Sequence, residues 1–221
     1  VVGDIYTSDS IDIAGTLHHA PGATITGNVT YASILTEPVV VPPPCDCAPG
    51  DLIPVAGIVA GRLPPANDNA LIGLAPDALI IPGGPRRLDL ACGQYYLSGI
   101  DTNAPLVIAS SGRTALYIDG DVITTSPLTF AVGPAGELDV FIADRLSTSA
   151  KLVIGSPNYP ALARVYVGGV GTSFTIANDA VLGGFLYLAL GKIEASNPLQ
   201  VFGGIFAGDF RNTGSTSIHY D

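Results

Sequence analysis

The chain has 221 residues, of which 48% are hydrophobic and only 13% charged, and it carries a formal charge of −10 from 19 acids against 9 bases. Phosphate recognition needs clustered Lys and Arg, so this balance argues against a nucleic-acid partner and against an anionic membrane surface. No apolar run reaches the ~18 residues of a membrane-spanning helix, and the 27 Gly and 18 Pro suit a single turn-rich all-β domain.

Residues 1–37 read as short strands at 4–7, 10–14, 23–26 and 28–32, separated by turn pairs such as Pro21-Gly22 and Gly27-Asn28. This is the texture of one or two coils. Residues 38–86 differ. Three consecutive prolines, Pro42 to Pro44, fix φ and forbid helix. Cys45-Asp46-Cys47, Leu63-Pro64-Pro65 and Pro82-Gly83-Gly84-Pro85 follow, with apolar runs at 52–59 and 78–81 between them. The stretch is expected to be an ordered excursion adding one or two irregular strands, with no helix.

From residue 87 to 221 a signature repeats. An apolar-aromatic-apolar triplet occurs as Leu116-Tyr117-Ile118, Val140-Phe141-Ile142, Val165-Tyr166-Val167 and Leu186-Tyr187-Leu188, with variants at Tyr96 and Phe206. The markers Tyr96, Tyr117, Phe141, Tyr166, Tyr187 and Phe206 are 21, 24, 25, 21 and 19 residues apart. A period of about 20–25 residues is the mark of a solenoid, in which each coil buries its apolar side only by stacking on its neighbours. Further strand-like pieces at 106–109, 128–132, 151–154, 173–177 and 199–202 give each coil two or three strands. The predicted fold is therefore one single-stranded β-solenoid over 1–221, with N-terminal coils at 1–37, the Pro/Cys-bearing excursion at 38–86 and regular coils at 87–221. The six aromatic markers are its expected core repeat.

Candidate chemistry is sparse. Cys45, Cys47 and Cys92 are odd in number, and Cys45 and Cys47 are too close to bond each other without strain. One disulfide from Cys92 to Cys45 or Cys47 is expected, closing a loop worth on the order of 3–4 kcal/mol. A zinc site is the alternative, and it would need His18, His19 or His219 as a fourth ligand. Asp119-Gly120-Asp121 is the best carboxylate pair, with Asp89, Asp101 and Asp144 on neighbouring coils. Asp119 and Asp121 are weak calcium candidates, as is Asn67-Asp68-Asn69. No Ser-His-Asp or Gly-x-Ser-x-Gly arrangement is present. The expectation is a protein that is not an enzyme and needs no cofactor.

Several segments carry a family resemblance. They are Gly93-Gln94-Tyr95-Tyr96-Leu97, the run from Ala115 to Val122, Gly183-Gly184-Phe185-Leu186-Tyr187, Gly203-Gly204-Ile205-Phe206-Ala207 and the closing Ser217-Ile218-His219-Tyr220-Asp221. With the opening Gly3-Asp4-Ile5-Tyr6 they resemble the β-helical C-terminal region of bacterial pilus-assembly proteins of the minor-pilin kind. The resemblance covers about 1–35 and 90–221. It implies a right-handed coil, an extracellular or cell-surface location with a secretion or anchoring segment upstream, and no catalytic residues. Strand-like ends with no capping helix, and the extended Pro-rich stretch at 38–44, point to a structural subunit or tip module of a filament, partnered by its own copies or by other pilus subunits. A polysaccharide-binding or polysaccharide-cleaving β-helix is the rival expectation, with glycans as partners.

Overall fold

The structure, a computed structural model, describes residues 5–40, 48, 50–80 and 83–219, without the side chains of residues 5–10 and 172. Two long strands come first, β1 (Ile5–His19) and β2 (Ile25–Thr36), paired in parallel. Two short helices follow, α1 (Val55–Ala60) and α2 (Asn69–Ile72). The regular coils then lay down three strands each. The first coil holds β3 (Arg86–Leu90), β4 (Gly93–Leu97) and β5 (Ile100–Thr102). The second holds β6 (Leu106–Ser110), β7 (Arg113–Ile118) and β8 (Val122–Thr124). The third holds β9 (Leu128–Val132), β10 (Glu137–Ile142) and β11 (Leu146–Thr148). The fourth holds β12 (Leu152–Gly155), β13 (Ala163–Val167) and β14 (Gly171–Ile176). Then β15 (Ala180–Ala195) and β16 (Leu199–Asn212) each run round three faces without a break, and β17 (Thr216–His219) opens a further coil.

All strand pairing among the described residues is parallel, coil on coil, which makes the chain a β-solenoid of about nine turns. The stacks β3-β6-β9-β12, β4-β7-β10-β13 and β5-β8-β11-β14 form three faces that meet in β15. Successive coils lie about 4.8 Å apart, the spacing of hydrogen-bonded strands.

Sequence explains the stacking column by column. On the first face Leu106, Leu128, Leu152, Ala180 and Leu199 share one register, and Ile108, Phe130, Ile154, Leu182 and Val201 share another. All ten are buried. At the corner before this face the N–H of each opening residue reaches the next coil: Arg86 to Pro105 at 2.9 Å, Leu106 to Pro127 at 2.9 Å and Leu128 to Lys151 at 3.0 Å. On the third face Thr102, Thr124 and Thr148 form an interior column. Their hydroxyls accept the N–H two residues on, at Ala104 and Ala150, or bond one another across 3.1 Å. The turn itself therefore satisfies these buried hydroxyls. Gly155 sits at φ 65°, where an added Cβ would lie 2.0 Å from the carbonyl of Gly183, so only glycine lets these two coils close up.

Three sequence expectations change. The strands expected at 4–7 and 10–14 merge into β1, whose turn-like residues are absorbed as irregularities between Tyr6 and Ser10 and between Ile13 and Thr16. The strands expected at 23–26 and 28–32 likewise merge, and β2 starts at Ile25. The excursion adds helices, not strands. Val55, Ile58 and Val59 have helical spacing, and Gly73 closes α2 at φ 64°. Finally, the six aromatic markers do fall in one column, but on the outside. Alternation along a strand sends their neighbours inward, so Leu116 and Ile118, Val140 and Ile142, and Val165 and Val167 make the core.

Candidate functional site

The outer side of the second face carries the most distinctive feature of the molecule. Tyr96, Tyr117, Phe141, Tyr166, Tyr187 and Phe206 are register partners on six successive coils. Ring centroids step by 5.1 Å from Tyr117 to Phe141, 4.6 Å to Tyr166, 6.1 Å to Tyr187 and 5.3 Å to Phe206. Each parallel stack puts like beside like, so one aromatic per coil is enough to build the ladder.

The excursion covers the lower half of this ladder. Val59 is fully buried against Tyr96, Tyr117 and Ala143, and the Arg62 guanidinium lies 5.4 Å above the Tyr117 ring. The helix α1 comes this close because Gly168 has no side chain; a Cβ there would meet Val55 Cβ at 3.1 Å. The Tyr96 hydroxyl donates to Asp119 at 2.9 Å, and burial, then this bond, pushes its pKa up to about 12.

The upper half is open. Tyr166, Tyr187 and Phe206, with Phe185 at 48% exposure, flank a groove of roughly 380 Å³ beside Arg164 and Gly204. Where the two halves meet, the Tyr187 hydroxyl accepts the Ile53 N–H at 2.9 Å. Burial, followed by the charge of Asp139, raises the pKa of Tyr166.

Acids do gather on this face, and Asp119, Asp121, Glu137 and Asp139 each have a side-chain partner one coil away. Arg164 pairs with Asp139 and, at 3.0 Å, with Glu137; the Asp139 bond is the main reason its proton is held so firmly. Asp121 pairs with Arg145 at 2.9 Å while Asp119 takes the Tyr96 hydroxyl, so the two calcium candidates turn to different partners. Asp89 pairs with Arg87 on its own strand. Asp101 and Asp144 meet neighbouring segments through their backbones, at Leu79 and Gly169. Among the described residues no three His, Cys, Asp or Glu side chains converge as a metal site would require. Cys92 is exposed and has no disulfide partner among the described residues; its expected partners Cys45 and Cys47 lie outside them. His18 binds Glu37, His19 binds Thr36, and His219 stacks on Phe202 at 4.3 Å, so the three histidines are scattered.

Asn67-Asp68-Asn69, read from sequence as a calcium candidate, does something else. The Asn69 side chain is buried and copies a strand. Its amide donates to the Tyr96 carbonyl at 2.7 Å, and its Oδ1 accepts the Tyr96 N–H at 2.8 Å. Asp68 makes the same exchange with Gln94, through its own N–H at 2.7 Å and its carboxylate at 2.7 Å. Pro76 and Leu79 then accept the N–H groups of Ser98 and Asp101. Segment 68–80 thus pairs the lower edge of β4 and β5 and closes the stack along those two faces. Only the partner strand, some 27 residues on, gives Asn69 this meaning.

The family described as Domain of unknown function (DUF7305) matches residues 60–221. The chain belongs to that family. The matched region takes in the closing segment 68–80 and every regular coil, and leaves β1, β2 and nearly all of α1 outside. No curated protein and no solved structure matches. No helix of the described residues is long and apolar enough to cross a membrane.

Proposed function

We propose that this DUF7305 chain is a non-catalytic structural module of the bacterial cell surface, a subunit or tip module of an extracellular filament or pilus-like assembly. One observation carries the reading: the polar groups of the candidate site join one coil to the next. Tyr96 to Asp119, Asp121 to Arg145 and Asp139 to Arg164 each span one repeat, at separations of 23, 24 and 25 residues. Groups used this way brace the stack. The partners are other surface subunits or further copies of the chain, and the setting is oxidising, with Cys92 bonded to Cys45 or Cys47.

The test is immunogold labelling of intact cells. Label on surface appendages is the expected result; label confined to the cell interior sinks the reading.

One observation favours the glycan-binding rival. The open shelf of Phe185, Tyr187 and Phe206 offers aromatic faces of the kind that sugars stack on. Its cleaving variant has less support, since Glu137 and Asp139 are both engaged by Arg164. A glycan array distinguishes binding from none, and substitution of Phe185 and Phe206 by Ala abolishes any hit that uses the shelf.

A further inference from the structure

The two ends of the stack are not equivalent, and this limits what the module can join. At the lower end segment 68–80 occupies the edge of β4 and β5. At the upper end the N-terminal pair folds back over the last coils. Residues 11–14 of β1 face Phe210, Asn212, Thr216 and Ile218 across a cavity of roughly 600 Å³. Beyond β1 lies β2, and among the described residues β2 pairs with β1 alone.

The sequence of β2 fits a strand that expects a neighbour. Its apolar residues continue columns that are covered on β1 and uncovered on β2. Leu17 is 4% exposed and its register partner Ile34 is 39% exposed; half-buried Ile13 faces Tyr31, at 40%. From Ile25 to Thr36 there is no Asp, Glu, Lys, Arg or Pro. These are the residues with which proteins usually blunt an open edge. The gap in charge is informative in a chain of net charge −10, because two copies can approach along this strand without setting carboxylates against each other.

We infer that β2 pairs with β2 of a second copy, antiparallel across a two-fold axis, burying Tyr31 and Ile34 of each. An antiparallel β2–β2 contact uses the same edge on both copies, so it is isologous and stops at two. The inference deepens the structural reading and rests on it: it makes the module a paired end-piece, not a repeating filament subunit. A single strand edge is a small interface, so pairing depends on concentration.

Light scattering on the full chain across a wide concentration series tests it. The expected result is a 22.5 kDa species giving way to one of twice that mass and nothing larger. Ile34→Lys and Ile34→Glu, both at an exposed position, should each weaken the pair by about tenfold or more, and an equimolar mixture should restore it. A monomer at every concentration, growth beyond two, or pairing untouched by both variants would overturn the inference. The unmodified series decides alone should a variant fail to fold. A monomeric result with label on the cell surface refutes the pairing and leaves the structural reading standing; interior label with a clean dimer does the reverse.

Discussion

The lower and upper ends of this solenoid face the same physical problem, an exposed row of backbone donors and acceptors, and meet it differently. The lower end is closed by side chains that imitate a strand, inside the region the family shares. At the upper end a separate two-stranded sheet, outside that region, lies against the last coils without pairing to them, and among the described residues its outer edge remains open. Closing an edge takes polar side chains set in one place; laying a strand pair against an end takes only more strand. The first is specific and invisible to periodicity. The second leaves the edge of the last coil without a backbone partner among the described residues.

The sharpest way to break the comparison is to remove one polar side-chain group from each end. Asn69→Ala strips both partners from the buried N–H and C=O of Tyr96 and should cost about 2–6 kcal/mol, given roughly 1–3 for each orphaned group. The matching change at the upper end, Thr30→Val, removes a hydroxyl contact to Asp12 on an exposed strand and should stay within about 0.5 kcal/mol. Urea unfolding of both variants checks the pair; equal losses would mean that the lower end is not specifically closed.

The two halves of the aromatic ladder sharpen the same contrast. Val59→Ala deletes two buried methyl groups from the covered half and should cost about 1.5–3 kcal/mol. Tyr187→Phe, in the open half, loses one bond to the Ile53 N–H and should cost about 1 kcal/mol or less. Melting temperatures of the two variants give the order directly.

Much of this was legible in the sequence. The six aromatic markers gave the coil count and the register because parallel stacking repeats a residue type at a fixed position. Their outward direction was also present, since a residue flanked by two apolar neighbours on a strand points away from them. The helices were not read because Gly57 and the β-branched Val55, Ile58 and Val59 argue locally for strand, and only burial against Tyr96 and Tyr117 overrides that. The closing role of Asn69 was not legible at all, because an amide that copies a strand has no sequence pattern of its own.

Alkaline titration reads the covered half more gently. The folded pKa of Tyr96 lies near 12 against an ordinary 10.0. Below pH 10 the tyrosine is protonated in both states and its contribution is fully present. Between about 10 and about 12 the unfolded chain releases the proton first, so stability falls as pH rises. Tyr96→Phe should flatten this part of the profile. A melting-temperature series across that window reads it.

The smallest effect concerns the acids that first suggested calcium. Asp121 lies at the surface, 33% exposed as a side chain, and its Arg145 partner is 55% exposed. Exposed ion pairs are worth about 0–1 kcal/mol, so Asp121→Asn should shift stability within that range, and added salt should shrink the difference further. Asp119→Asn should cost more than Asp121→Asn, because Asp119 accepts from a tyrosine that is itself buried. If the two acids served one ion, the order would reverse or vanish, each variant would lose the same calcium-dependent increment in melting temperature, and a chelator would reproduce that loss in the unmodified chain. With the carboxylates turned to Tyr96 and Arg145, millimolar calcium and a chelator should both leave the melting temperature where it is, and the two variants should differ by the burial of their partners alone.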